Sequence, residues 1–150
     1  MNVTSLSEKH LGELNLAVTR ALSQWLPGPL GAPLEVVQGL ERVLLFLRQN
    51  GRPSPQARQV ASLAFCWGDQ LVRGGGFHWA SVSDDEAVNP SVVSGDEARA
   101  CLVVDAVTTL VLEPQAMSLT ALYRALEQGE CPAMPGCVEL VSASSPRKTD

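Results

Sequence analysis

The chain has 150 residues, of which 45% are hydrophobic and 18% charged, and its formal net charge is −5. That length fits one domain able to bury roughly two thirds of its unfolded surface, and the composition is that of a folded protein rather than a disordered one. Eleven Lys and Arg against sixteen Asp and Glu speak against a nucleic-acid partner, because phosphate binding draws its affinity from clustered basic groups.

At the amino terminus, MNVTSLSEKHLGEL carries neither a basic leader nor an unbroken apolar run, so it does not read as a signal peptide. No window approaches the ~18 apolar residues of a membrane span. The expected location is cytoplasmic, with Cys66, Cys101, Cys131 and Cys137 as thiols rather than a disulfide frame. A first helix is predicted from the N-cap Ser7 to about Trp25, with Leu11, Leu14, Val18, Leu22 and Trp25 on one face. Pro27-Gly28-Pro29 ends it. A second helix follows over Leu34 to Gln49, stopped by Asn50-Gly51.

Ser54 and Pro55 are suited to open a third helix. Its inner stripe is Ala57, Val60, Ala61, Ala64, Gly68 and Leu71, widened by Phe65, Trp67 and Val72, so it is expected to be the central helix. Gly74-Gly75-Gly76 stops it, because glycine alone takes left-handed backbone cheaply. An aromatic strand is predicted over Phe77 to Val82 and a short one over Ser91 to Val93, with Asp84-Asp85-Glu86 and Asn89-Pro90 as turns. From Ala98 the sequence is rich in β-branched residues (Val103, Val104, Val107, Thr108, Thr109 and Val111), which predicts two further strands broken near Asp105. Ser94 with Glu97 is a competing capping-box pattern that would begin a helix over Glu97 to Leu112. Ser118 caps a last helix through Gln128, closed by Gly129. Residues 131 to 150 read as an irregular tail after a single domain over 1 to 130, with an edge strand conceivable at Val138 to Val141.

Catalytic motifs are scarce. There is no Gly-x-Ser-x-Gly elbow, phosphate loop or dinucleotide fingerprint. The glycine triplet follows a helix, whereas phosphate loops open one. His10 and His78 lie on different elements, and Cys131 and Cys137 lack the tight spacing of zinc ligands, so neither a metal nor a cofactor is expected. An oxidised Cys131–Cys137 loop is sterically conceivable but belongs to an oxidising compartment. Cys66, in mid-helix, reads as a packed thiol. Asp69 stands four residues before Arg73, which suggests an ion pair; a functional carboxylate beside Trp67 and Trp79 is the alternative. Asp84, Asp85 and Glu86 form the densest acidic run, suited to a solvated turn or to docking a basic partner.

In order of features the chain resembles a family of small bacterial domains of unknown function. The features are Gly68-Asp69 closing an apolar helix, the Gly74–Gly76 turn, Trp79 on a strand, Asn89-Pro90, Leu112-Glu113-Pro114 and a closing helix over Leu119 to Leu126. The resemblance covers about residues 36 to 128 and implies a layout similar to that of immunity partners of bacterial toxins. It assigns no catalytic residue.

Together these readings predict an α+β domain: about three N-terminal helices packed on a small, mainly antiparallel sheet, with a C-terminal helix. The leading functional expectation is a non-enzymatic bacterial protein that binds a basic partner protein, as an immunity or adaptor factor. A toxin or a secretion-system component would be such a partner. Asp69, Asp84, Asp85, Glu86, Asp96, Glu97 and Trp79 would form its face. The competing expectations are a small enzyme or ligand-binding domain with a pocket near Asp69, His78 and Trp79, and a homo-oligomeric component.

Overall fold

The computed structural model describes residues 2–50, 57–83, 90–113 and 117–140. Ten elements follow in the order β1 (Asn2–Thr4), α1 (Glu8–Trp25), α2 (Pro33–Asn50), α3 (Ala57–Gly74), β2 (His78–Ser83), β3 (Pro90–Val93), β4 (Arg99–Cys101), α4 (Val103–Leu112), α5 (Leu119–Glu127) and β5 (Cys137–Glu139). The fold is α+β: three N-terminal helices, a five-stranded antiparallel sheet in the order β1-β2-β3-β4-β5, and two later helices.

Local chemistry sets the helix ends. The Ser7 side chain accepts from the His10 amide and opens α1, and Ser118 does the same for α5 through Ala121. The expected Ser54–Pro55 start of α3 lies outside the described residues. At its other end the three glycines act for different reasons. A Cβ on Gly74 would stand 2.9 Å from Pro33 and one on Gly75 would stand 2.9 Å from the Leu71 carbonyl, while Gly76 alone takes a left-handed backbone (φ 76°). The Gly75 and Phe77 amides both bond the Leu71 carbonyl, turning the helix directly into β2.

α3 is the central helix. Val60, Leu63, Ala64, Cys66, Trp67, Gly68, Gln70 and Leu71 are all buried, and it touches α1, α2, α4, α5 and the sheet. The fully buried Trp67 donates its indole N–H to the Leu119 carbonyl at 3.1 Å, which spares it the cost of an unpaired buried donor. Charged side chains from other elements tie down the later helices. Glu41 of α2 accepts from the Thr120 amide at the start of α5, and Arg99 of β4 donates to the Leu126 carbonyl near its end. Arg48 of α2 donates to the Leu110 and Val111 carbonyls at the end of α4. In each case the charge complements the helix dipole.

Of the two strands expected from Ala98 onward, only a short piece of the first forms. Only Arg99–Cys101 is extended, and the β-branched run that follows is the helix α4. Its residues Val103, Ala106, Val107, Leu110 and Val111 are buried between α3 and the sheet, so burial outweighs the modest intrinsic cost of valine and threonine in a helix. The Ser94–Glu97 pattern does not cap this helix either. It shapes a hairpin turn, in which Ser94 Oγ receives the Arg99 amide and Glu97 takes a left-handed backbone (φ 59°). β1 was not anticipated. An edge strand does form in the carboxy-terminal segment, at Cys137–Glu139, paired with β4.

The sheet has two different faces. Trp79, Val92 and Cys101 join the large core beneath the helices. Ala80, Val82, Val93 and Ala100 form a separate buried cluster on the other face, with Leu102 and Leu140 against it.

Candidate functional site

The junction of α3 with β2 brings Asp69 and Trp79 together. Gly68 makes the approach possible: a Cβ there would lie 2.9 Å from both Trp79 Cη2 and Val103 Cγ1, so the indole lies directly on the helix. Phe65, one turn earlier, meets the Trp79 ring edge-on, with centroids 6.4 Å apart and planes at 75°. The indole nitrogen is buried without an acceptor at full hydrogen-bonding geometry among the described residues. The neighbouring Asp69 carboxylate nevertheless feels that N–H as a stabilising influence.

Asp69 is half-buried. Burial raises its pKa above the ordinary carboxylate value, and the nearby Arg73 charge and the Trp79 N–H pull the other way without prevailing. The hydrogen bonds of Arg73 go to Gln70 Oε1 (2.6 Å) and the Gly31 carbonyl (3.1 Å), so the guanidinium ties α3 to the α1–α2 connection. Chemically, this is a carboxylate with reduced solvation beside an aromatic wall and a donor whose hydrogen-bonding capacity is incompletely used. Such a group suits a partner's hydrogen-bond donor or cation.

His78 is not part of this arrangement. Adjacent strand residues point to opposite faces, so His78 shares the face of Ala80 and Val82, and it is exposed. Asp96 and Glu97 stand in the β3–β4 turn. The Asp96 carboxylate accepts from Ser94 Oγ (2.6 Å) and the Ala98 amide (3.0 Å), and these bonds hold its pKa below the usual range. It organises the turn, whereas Glu97 is exposed. Asp84, Asp85 and Glu86 lie outside the described residues. The strand ends that bracket them, Ser83 and Pro90, are at the opposite end of the β2–β3 ladder from Ser94.

Two surface clefts accompany the site. One of about 370 Å³ lies over the α1–α2 connection and is lined by Trp25, Leu30, Glu35 and Arg42 among others. The other, of about 350 Å³, lies between α1 and the sheet and is lined by His10, Glu13, Leu14, Ala17, Phe65 and Pro90. Through Phe65 it adjoins the Trp79 cluster.

Sequence reasoning missed two groups of residues. Leu45 and Phe46 on α2 and Leu112 at the end of α4 are 45%, 59% and 59% exposed. Arg48 holds the end of α4 against the last turns of α2, and that proximity has no sequence signal. The second group is cysteine. Cys66 is the expected packed thiol, donating to the Val18 carbonyl and pushed up to about 12 by burial and Asp69. Cys101, however, stands directly opposite Cys137 in the sheet. Among the described residues, no cluster of three or more His, Cys, Asp or Glu side chains is arranged to hold a metal ion, and no helix is long and apolar enough to cross a membrane. Comparison with protein families, curated proteins and solved structures finds no match to this chain.

Proposed function

We propose that the protein works by binding another protein, as a bacterial immunity or adaptor factor that meets a basic partner. The observation that carries this reading is the exposed apolar group of Leu45, Phe46 and Leu112 on two helices that Arg48 ties together. Large exposed apolar side chains near the joined ends of two helices, with an aromatic among them, have the composition of an interface anchor. The net charge of −5 supplies the complementary steering for a basic partner. Asp69, Glu97 and the run Asp84-Asp85-Glu86 are the carboxylates proposed to meet it, with Asp96 shaping the turn that carries Glu97 and Trp79 backing Asp69.

The test is quantitative recovery of a partner from extracts of the native host with the tagged protein. Wild type should recover one protein in stoichiometric amount. Leu45→Asp with Leu112→Asp should abolish that recovery, and Glu97→Lys should weaken it. Recovery of no stoichiometric partner, or recovery unaffected by both variants, would overturn the reading.

A second reading has its own observation, the incompletely satisfied Trp79 N–H beside the half-buried Asp69. It makes that junction a small-ligand or catalytic site. Asp69→Ala would then abolish the cellular phenotype while folding is retained, and His78→Ala, on the other sheet face, would serve as the control.

A further inference from the structure

β4 and β5 run antiparallel with Cys101 opposite Cys137. The hydrogen bonds of this ladder fix the kind of pair. Leu102 donates to Gly136 (2.8 Å) and Leu140 donates to Ala98 (2.8 Å), so these two are the hydrogen-bonded pairs. Pairs alternate along an antiparallel ladder, which makes Cys101–Cys137 a non-hydrogen-bonded pair. In such pairs the Cα atoms stand about 4.5 Å apart and the side chains approach most closely. That spacing lies within the range of roughly 4.4–6.8 Å that a disulfide spans without backbone movement. All four thiols are free in this structure.

We propose that Cys101 and Cys137 are a thiol–disulfide exchange site, oxidised reversibly by a small-molecule disulfide to a cross-strand bond that fastens β5 to β4. The accessible member is Cys137, which is half-buried, while Cys101 is fully buried. The Cys101 thiol donates to the Cys137 sulfur, which lowers the pKa of Cys137 and raises that of Cys101. A second influence comes from the adjoining residue. Gly136 lies so close to the first turn of α4 that a Cβ would stand 2.6 Å from the Ala106 nitrogen, placing Cys137 one residue from the positive end of that helix.

The exchange balances in two steps. The Cys137 thiolate attacks one sulfur of the small disulfide, whose S–S bond breaks; one small thiolate leaves and takes a proton from water. Cys101 then gives its proton to solvent, and its sulfur attacks the Cys137 sulfur of the mixed disulfide, releasing the second small thiol. Two electrons pass from the cysteine pair to the small disulfide, which ends as two thiols. Cys131 is close enough to raise the pKa of Cys101 and to have its own raised by Cys137, so it is the competitor that the experiment must separate.

The full-length reduced protein is incubated with oxidised glutathione, quenched in acid, alkylated and mapped by mass spectrometry. Before alkylation the product should be lighter than the reduced protein by two hydrogens, about 2 Da. Cys101 and Cys137 should be bridged, with Cys66 and Cys131 alkylated, and the oxidised form should have the higher thermal midpoint. Cys131→Ser should leave the bridge intact, while Cys137→Ser should remove both the bridge and the thermal shift. In denaturant the preference should move to Cys131–Cys137, the pair closest in sequence, because loop closure then decides. A persistent glutathione adduct without a bridge, or a native Cys131–Cys137 bond, would overturn the assignment. The wild-type map stands even where a serine variant folds poorly.

Discussion

Asp69 occupies a position where stability and binding are set against each other. Its folded-state pKa is raised, chiefly by burial, so the folded protein holds a proton there more tightly than the unfolded chain does. Stability from this group is therefore fully present below the unfolded value of about 3.9 and is lost as pH rises through the folded pKa. Asp69→Asn removes the charge and keeps an acceptor for the Trp79 N–H. Chemical denaturation at neutral pH should find the variant at least as stable as wild type, with the advantage vanishing on acidification below the unfolded value. A variant that gains stability while losing its partner would mark Asp69 as a residue kept for function. Gly68 makes the opposite kind of prediction. Gly68→Ala gains helix propensity of roughly 1 kcal/mol. It also forces a methyl group to 2.9 Å from Trp79 and Val103, and overpacking of a core costs about 1–3 kcal/mol. The clash should dominate, seen as a lower denaturation midpoint together with a changed tryptophan emission.

At the scale of elements, the readable parts of this fold were those with a local chemical cause. Ser7 and Ser118 cap helices through their own side chains, and Gly76 and Gly129 take left-handed backbones where chain direction changes. The apolar stripes of α1, α2 and α3 needed nothing beyond their period. α4 lacked every such sign. Its N-cap is Leu102, which makes no side-chain cap, and its residues are apolar on nearly all sides because it is covered by both α3 and the sheet. Periodicity vanishes when burial is all round, and valines then read as strand. What holds α4 and α5 is remote in sequence: Arg48 on the carbonyls of α4, and Glu41 and Arg99 on the two ends of α5. Removing such a cap should have a measurable cost. Glu41→Ala leaves the Thr120 amide without its acceptor and should destabilise the protein by about 1–2 kcal/mol in urea titration, as loss of a helix N-cap does. Glu41→Gln, which keeps an acceptor oxygen, should recover most of it.

For the molecule as a whole, the proposed binding face was legible only in outline. The acidic balance and the Asp69–Trp79 pairing could be read from the sequence, since helix, glycine turn and strand adjoin in the chain. The strand parity that turns His78 away from Asp69 depends on which face the helices cover. The spending of the Asp96 carboxylate on Ser94 and Ala98 depends on a turn that pattern alone does not distinguish from a helix cap. The apolar group at Leu45, Phe46 and Leu112 depends on how α4 docks. Charge and apolar contact predict different kinetic signatures for one partner, so the two halves of the proposed interface can be separated. Raising the salt from about 0.1 M to 1 M shortens the screening length from about 10 Å to 3 Å. With a basic partner, association should slow by at least about tenfold while dissociation changes little, because steering by net charge acts on the encounter. Leu45→Asp should do the reverse, accelerating dissociation at every salt concentration, since buried apolar anchors govern the lifetime of a complex. Surface plasmon resonance on the recovered partner reads both rates directly. An association rate indifferent to salt would remove the acidic residues from the interface and leave the helical apolar group as its basis.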